Sequence, residues 1–417
     1  LRPDGRPEAE SLNRIFAQVQ QLNREGRIRA AYTPGRFGLA EGLMQMAFGN
    51  RLGCVCEADV DTALLFQPLP GSFLLEVAPA DQGVGRCIGR ITDEPTLRAC
   101  GESVSLADLY RVYCNKLESV YPVQAPVAEE GAPAAPCWSA KEWSVAKNRT
   151  AQPLFLLPAF PGTNCELDTA FAIQRAGGRA EILVLRNRTP QDVTDSVTRF
   201  AKALEQAQGV VIPGGFSGGD EPDGSGKFIT VFFRNPQIAE GVTKLLEQRD
   251  GLMAGICNGF QALIKLGLVP YGKIVDVDAS CPTLTYNTIG RHQSRQVRIR
   301  VASNQSPWLA RTQVDQIFTV PISHGEGRFL CSEELLQALI AKGQIATQYV
   351  DPAGHPSLDV DYNPNGSCLA VEGITSPDGR VFGKMGHAER IGTGLYRNVP
   401  GDYDMEMFAA AVDYFRG

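Results

Sequence analysis

Hydrophobic positions in the first third of the chain recur with alternating helical and strand-like spacing. Their pattern predicts a helix over residues 8–22, a strand over 27–32 and a second amphipathic helix from Leu39. Strand-like runs follow at 54–56, 64–66, 72–77 and 84–91. A capping-box pattern at Ser105 begins a further helix. Residues 1–121 are therefore expected to form an α+β unit.

The pattern changes after residue 121. Residues 122–136 are rich in Pro and Ala and hold no aromatic residue, which is typical of an extended linker, so 122–150 is expected to connect two domains. Strands and helices then alternate at 154–157, 167–178, 181–185, 191–207 and 209–215. This alternation predicts an α/β domain over 151–417, with an open parallel sheet covered by helices on both faces.

Composition and charge restrict the class of protein. The 417 residues, 43% of them hydrophobic, suffice for two or three domains with sizeable cores. The net charge of −6 argues against a nucleic-acid or anionic-membrane surface. No apolar run approaches the roughly 18 residues of a membrane span.

The start of the chain and the pattern of its cysteines are typical of a cytoplasmic protein. The first ten residues contain neither an initiator Met nor the apolar core of a signal peptide. We therefore expect a soluble, cytoplasmic protein that is part of a longer chain. The eleven Cys are scattered without a C-x-x-C pair, which predicts free thiols and no zinc site.

The segment G-I-C-N-G at 255–259 carries the strongest chemical signal, because it joins an apolar strand to a helical stripe. It has the form of a nucleophile elbow, in which Gly255 and Gly259 relieve the crowding of a sharp turn around Cys257. The helix dipole favours a thiolate there, and the N–H of Asn258 can point at a developing oxyanion. An ordinary Cys in a tight β–α turn is the alternative.

A thiol nucleophile needs a base, and His387 is the first candidate. It follows a strand-like run, and Glu389 can orient it, which would complete a Cys-His-Glu triad in chain order. The alternative is a surface loop in which Glu389 pairs with Arg390. His324, in a glycine-rich stretch, is the competing base. The two His expected to be solvated are His292 and His355.

A second strand end, V-V-I-P-G-G-F-S-G-G-D at 210–220, could complete the oxyanion hole. The backbone N–H groups of Gly214, Gly215 and Phe216 are the candidate donors. A glycine-rich surface turn is the alternative.

Two other motifs lack features that their chemistry requires. G-S-G-K at 224–227 is similar to a phosphate loop, but Glu221 and Phe228 stand where Gly and Ser or Thr belong. D-Y-N-P-N-G-S-C-L-A-V-E at 361–372 has calcium-loop spacing without flanking helices, so a turn before a strand is expected.

Six motifs follow one another in the second half of the chain. They are P-A-F-P-G-T-N-C-E at 158–166, P-G-G-F-S-G-G-D at 213–220, G-I-C-N-G-F-Q at 255–261, S-H-G-E-G-R at 323–328, N-P-N-G-S at 363–367 and G-H-A-E-R at 386–390. Together they resemble the class I glutamine amidotransferase domain of phosphoribosylformylglycinamidine synthase, over residues 151–417. Residues 1–120 resemble the C-terminal part of the synthetase region of that enzyme, which has an aminoimidazole-ribonucleotide-synthetase-like fold. The family's His-Asp…Ser-Asp-Gly-Gly segment reads A-Y-T-P-G-R-F-G at 31–38, so a structural role is expected for this half.

The resemblance implies a glutaminase that supplies ammonia for the ATP-dependent conversion of formylglycinamide ribonucleotide to the amidine in purine biosynthesis. The implied catalytic residues are Cys257, His387 and Glu389. The implied substrate and oxyanion residues are Gly214, Gly215, Phe216, Asn258 and Gln261. It implies no metal or cofactor on this chain, because ATP and Mg would bind a missing synthetase portion. Its partners would be glutamine and the N-terminal synthetase domains, with no nucleic acid and no membrane.

Two other functions stay open. A cysteine hydrolase or peptidase of the same fold would cleave other amides and would not respond to glutamine. A non-catalytic assembly module would not react with thiol-directed glutamine analogues at Cys257.

Overall fold

Two units of the chain, residues 1–123 and 124–417, carry the secondary structure. The structure is a computed structural model, and it describes residues 2, 6, 8–122, 125, 132–217, 225–397 and 399–417. The helices of the first unit are α1 (Ala9–Arg24), α2 (Gly38–Asn50), α3 (Thr62–Phe66) and α4 (Leu106–Asn115). Its strands are β1 (Ile28–Tyr32), β2 (Gly53–Cys56), β3 (Leu74–Val77), β4 (Gly89–Thr92), β5 (Thr96–Ala99) and β6 (Glu102–Ser105).

The first unit is α+β, as its hydrophobic spacing predicts. Strand β1 pairs antiparallel with β3, and a second sheet has the order β4-β2-β5-β6, in which β2 and β5 are parallel. Its buried core cluster is small and consists of Leu39, Val60, Leu65 and Leu74.

Residues 64–66 belong to helix α3, so the predicted strand there was wrong. Asp61 caps this helix, since its side chain accepts a hydrogen bond from the N–H of Leu64 at 2.8 Å. A short apolar run does not distinguish a strand from a helix by its spacing, and the capping carboxylate decides between them. The expected cap of α4 is present, because Ser105 accepts from the N–H of Asp108.

Part of the expected linker over 122–150 packs on the second unit. Trp138 donates its N–H to Ala302 at 2.9 Å, and buried Ala146 donates to Tyr414 at 2.8 Å. Residues 132–150 are thus held by backbone hydrogen bonds and are not a free spacer. Composition indicates extended backbone, but it carries no information on whether that backbone finds partners far along the chain.

The second unit contains the larger set of elements. Its helices are α5 (Glu166–Arg175), α6 (Pro190–Leu204), α7 (Lys227–Phe233), α8 (Pro236–Thr243), α9 (Asn258–Leu266), α10 (Leu268–Tyr271), α11 (Glu333–Ala341) and α12 (Met407–Arg416). Its strands are β7 (Leu154–Ala159), β8 (Arg179–Val184), β9 (Gly209–Ile212), β10 (Leu252–Ile256), β11 (Thr283–Tyr286), β12 (Gln293–Val301), β13 (Ile317–His324), β14 (Glu326–Leu330), β15 (Ile345–Val350), β16 (Val371–Thr375) and β17 (Val381–Lys384).

Nine of these strands form one mixed sheet, in the order β13-β12-β15-β16-β17-β10-β9-β7-β8. The five strands from β17 to β8 are parallel, whereas β13, β12, β15, β16 and β17 pair antiparallel. The sequence predicts a parallel sheet for the whole domain. The observed sheet is parallel only in the part where strands alternate with helices along the chain. Strands β7, β9, β10 and β17 are buried at every position, as expected for parallel strands with both faces covered.

The topology brings three of the motifs to one edge of this sheet. Strands β17, β10 and β9 are adjacent and parallel, so their carboxyl ends lie together. The segments that follow them contain His387, Cys257 and Gly214 respectively. Clefts at the carboxyl ends of parallel strands are common ligand sites in α/β proteins.

Candidate active site

Cys257 occupies a strained corner between β10 and α9. Its φ of 53° and ψ of −105° are unusual for a residue with a side chain. A Cβ added to Gly255 would lie 2.5 Å from the carbonyl oxygen of Gly259, and one added to Gly259 would lie 2.1 Å from that of Ile212. Both positions therefore require glycine, for the reason given by the elbow pattern. The side chain of Cys257 is buried, and its Sγ lies 3.7 Å from the carbonyl oxygen of Ser323.

His387 and Glu389 form a buried pair beside this corner. The imidazole Nδ1 lies 2.6 Å from Oε1 of Glu389, and the backbone N–H of His387 donates to Pro321 at 2.9 Å. A carboxylate on Nδ1 fixes the ring and leaves Nε2 for another partner. The predicted orientation of His387 by Glu389 is thus present, and the surface loop considered as its alternative is absent from this place.

His387 and Glu389 each stabilise the charged form of the other. Burial alone lowers the pKa of His387, but the Glu389 carboxylate and hydrogen bonds to Cys165, Cys257 and Glu389 outweigh it, so this pKa lies well above its ordinary value. Burial raises the pKa of Glu389, but the His387 charge and hydrogen bond lower it overall. The Cys257 thiol also contributes to the raised pKa of His387, so the two groups interact. Their assembly with Glu389 into a catalytic triad stays a prediction.

The loop after β9 provides fewer oxyanion donors than expected. Phe216 donates its N–H to the carbonyl oxygen of Gly162 at 2.8 Å, so that N–H is already used. Gly214 packs against the imidazole, because an added Cβ would lie 2.6 Å from Cε1 of His387. Gly215, with φ 148°, has the kind of backbone that favours glycine. Gly214, Gly215 and Asn258 therefore stay candidate donors, Asn258 because the first N–H of a helix has no partner within it.

Asn258 and Gln261 have polar groups that bind within the protein. Asn258 accepts from the backbone and hydroxyl of Ser217 at 3.2 and 2.5 Å, and donates to Gln261 at 2.9 Å. Gln261 also donates to the carbonyl oxygen of Glu326 at 2.6 Å. Both side chains are buried. They tie the loop after β9 to helix α9, and the expected contact of Gln261 with substrate stays a prediction.

The other three His are placed differently. His324 is buried, and its Nδ1 lies 3.1 Å from Oδ1 of Asn287, so its ring is oriented by an amide and not by a carboxylate. Burial, with the neighbouring His charges, lowers the pKa of His324 to about 3. His292 is exposed as expected, but its Nε2 also lies 3.0 Å from the hydroxyl of Ser323. His355 is exposed.

Cys165 is a neighbour of the triad that the sequence reasoning missed. Its Sγ lies 3.7 Å from Nδ1 of His387 and 3.2 Å from Nη2 of Arg390. The ligand-type atoms of Cys165, His387 and Glu389 lie within 4.8 Å of one another, which would suit a metal ion. The guanidinium of Arg390 on the same sulfur opposes a second cation there. Cys165 belongs to the quoted motif P-A-F-P-G-T-N-C-E, so a signal for it was present.

The segment with calcium-loop spacing has a structural role. The side chains of Asn363, Asn365 and Ser367 are buried and bind one another or the backbone of Gly327. The segment leads directly into β16, as the turn interpretation predicts. The motif that is similar to a phosphate loop spans residues 224–227, and its first residue lies outside the described residues.

The sequence comparisons match the second unit. The profile of the CobB/CobQ-like glutamine amidotransferase domain matches residues 152–415. The chain belongs to this family. The amidotransferase is 34% identical over 239 residues to the phosphoribosylformylglycinamidine synthase subunit PurQ of Methanococcus maripaludis, covering 57% of this chain and 82% of that one. It is 31% identical over 263 residues to the same subunit of Symbiobacterium thermophilum, covering 63% of this chain and 97% of that one.

A solved structure of PurLQS from Thermotoga maritima is similar over 63% of this amidotransferase and 99% of that chain, with 24% identity and a TM-score of 0.46. The resemblance inferred from the six motifs is confirmed by the family and by the two PurQ relatives: the second unit is a PurQ-type glutamine amidotransferase domain. Among the described residues, the helices are all too short or too polar to cross a bilayer.

Proposed function

We propose that the second unit hydrolyses glutamine through Cys257, His387 and Glu389, and that the ammonia serves the synthesis of formylglycinamidine ribonucleotide. The PurQ relatives carry the name of a subunit of that synthase. The observation that carries the proposal is the strained Cys257 corner, with a buried His387–Glu389 pair at the neighbouring strand end whose imidazole interacts with the Cys257 thiol.

The first step is attack on the side-chain amide. The Cys257 sulfur forms a bond to the amide carbon, and the oxyanion accepts hydrogen bonds from the N–H groups of Gly215 and Asn258. His387, whose raised pKa keeps it protonated, gives its proton to the departing nitrogen. The C–N bond breaks, ammonia leaves, and a glutamyl thioester on Cys257 remains.

The second step is hydrolysis of the thioester. Neutral His387 takes a proton from water, and the resulting hydroxide attacks the thioester carbon. The C–S bond breaks, the thiolate returns beside the imidazolium, and glutamate leaves. Glu389 holds the imidazole and stabilises its charge in both steps, as the carboxylate of a serine triad does.

Ammonia has to reach the synthetase without becoming ammonium in bulk water. We propose that N-terminal synthetase domains of the same enzyme are the partner, and that ATP and Mg bind there. Each PurQ relative is named as one subunit of a synthase, which supports a separate synthetase component that consumes the ammonia. A closed ammonia path would make product formation exceed the release of free ammonia in the intact enzyme.

The test replaces the nucleophile. In the complete enzyme, Cys257→Ala should abolish glutamine hydrolysis and glutamine-dependent synthesis while synthesis from added ammonia is retained. Cys281→Ala, at a cysteine in another part of the same unit, is the matched control and should retain both activities. Loss of both activities together in Cys257→Ala, or hydrolysis of glutamine at the wild-type rate, would contradict a separate glutaminase site at Cys257.

A further inference from the structure

A buried ion pair contacts the residue next to His387 and takes no part in the proposed chemistry. Lys384, the last residue of β17, places its Nζ 3.1 Å from Oε1 of Glu372 on β16, and both side chains are fully buried. Strands β16 and β17 are antiparallel neighbours. A buried pair of this kind contributes little net stability, because desolvation of two charges offsets their attraction.

The pair encloses the peptide groups that precede His387. Oε1 of Glu372 accepts from the N–H of Gly386 at 2.6 Å, and Nζ of Lys384 donates to the carbonyl oxygen of Gly386 at 2.7 Å. The hydroxyl of Thr347 on β15 donates to the other oxygen of Glu372. The two charged side chains thus hold both polar backbone groups of the residue next to His387.

The fit around this residue is close. A Cβ added to Gly386 would lie 2.9 Å from Oε1 of Glu372, 3.1 Å from Nζ of Lys384 and 2.5 Å from a methyl group of Val320. Position 386 therefore has no room for a larger residue, and the backbone cannot shift toward the pair without a clash.

The same element also contacts the Cys257 corner. The carbonyl oxygen of Lys384 accepts the backbone N–H of Cys257 at 2.8 Å, and Ile256 is opposite Lys384 in the β10–β17 register. The chain from 384 to 387 is consequently attached to both members of the Cys–His pair. A shift of its backbone would change the distance between the sulfur and the imidazole.

We propose that Glu372 and Lys384 are positioning residues, which fix the backbone of Gly386 so that the His387 imidazole meets the Cys257 sulfur. This inference rests on the proposed glutaminase function. Thr347 supports it by orienting the Glu372 carboxylate. Misplacement of catalytic groups by about 1 Å can lower a rate by roughly a hundredfold.

The experiment uses the whole chain and replaces the pair by apolar residues of similar length. Glu372→Met with Lys384→Met leaves no buried charge, and we expect it to lower kcat for glutamine hydrolysis by about 10- to 100-fold. KM for glutamine should change less than about threefold, because the backbone turn at Gly386 is altered and the groups that bind glutamine are not. A kcat within about twofold of the wild type in the folded double variant would overturn the proposal.

A milder pair of variants keeps the test valid if the double variant does not fold. Thr347→Val removes the donor to Glu372 at nearly constant volume and should lower kcat several-fold, whereas Thr347→Ser keeps the hydroxyl and should restore it. Equal kcat values for these two variants would overturn the proposal. Arg300→Met is the matched control, since Arg300 is a buried cation of the same sheet that binds Asp315, Gln348 and Pro136; it should lower stability but leave kcat unchanged.

A second readout separates this inference from the proposed function. The rate of Cys257 alkylation by iodoacetamide depends on the imidazole beside the sulfur but requires no glutamine turnover. The double variant and Thr347→Val should both slow it, and unchanged rates would count against positioning. Absence of Cys257-dependent glutamine hydrolysis in the wild-type chain would contradict the proposed function alone.

Discussion

The two units differ in how they hold their cysteines. In the second unit, Cys257 is buried at a strained corner, and a buried His387–Glu389 pair lies at the adjacent strand end. In the first unit, Cys87 and Cys100 are exposed, and Cys56 has its pKa lowered to about 7 by a hydrogen bond from Cys54. A histidine lies beside a thiol only in the second unit, which contains all four His of the chain, and His387 interacts there with both Cys165 and Cys257.

The difference shows that thiol ionisation alone does not make a nucleophile site. A large core is needed to hold a buried imidazole, a carboxylate and a strained backbone in register, because each of these costs free energy. The second unit has such a core around its nine-stranded sheet, and the core cluster of the first unit is small.

The largest expected effect is on catalysis in the second unit. His387→Ala should lower kcat for glutamine hydrolysis by about 10⁴-fold, since the base and the acid of both steps are lost. His355→Ala, at an exposed histidine, should leave kcat unchanged and is the control. A loss of less than about tenfold in His387→Ala, measured by glutamate release, would remove His387 from the mechanism.

The next effect is on stability and contrasts a buried position of the second unit with an exposed position of the first. Leu157→Ala in β7 removes a fully buried side chain and should destabilise the second unit by about 2–5 kcal/mol. Val112→Ala on the exposed side of α4 should change the stability of the first unit by no more than about 0.5 kcal/mol. Denaturant unfolding of the two variants measures both values. Equal losses would mean that the exposed face of α4 is covered in solution.

The pH dependence of stability tests the buried pair. The pKa of Glu389 is lowered on folding, so its contribution is present above pH ~4.5 and is lost as pH falls through the folded pKa. The pKa of His387 is raised, so its contribution is present below pH ~6.5 and is lost as pH rises through the folded pKa. The difference in unfolding free energy between wild type and Glu389→Gln should therefore be largest between about pH 4.5 and 6.5. A difference that does not change with pH would contradict the ion pair.

The smallest effect concerns general thiol chemistry in the first unit. Iodoacetamide at pH 7 should modify Cys56 faster than Cys54, whose pKa is raised by the same hydrogen bond and by burial. Peptide mapping over a time course gives both rates. Replacement of Cys54 by Ser should slow modification of Cys56 less than replacement by Ala, because a serine hydroxyl can still donate. Equal rates in the two variants would exclude the hydrogen bond as the cause.

The features that could be predicted from the sequence are those that depend on local contacts. The Gly255 and Gly259 positions act on a turn five residues long, and Glu389 is two residues from His387, so both could be predicted. The hydrogen bond from the Phe216 N–H to Gly162 could not be predicted, because the two residues are distant in sequence. The contact of Gln261 with Glu326 could not be predicted for the same reason. The same limit explains why the antiparallel half of the sheet was missed.

The glutaminase site is tested most sharply by labelling the whole chain with a glutamine analogue that carries an electrophilic group, followed by peptide mapping. We expect one label per chain on Cys257, protection by glutamine, and no label in His387→Ala within the same time. Cys56 and the exposed cysteines should remain unlabelled, although we expect iodoacetamide to modify Cys56. Stoichiometric labelling of another cysteine with Cys257 unmodified, or labelling of Cys257 that glutamine does not slow, would contradict a glutaminase site at Cys257.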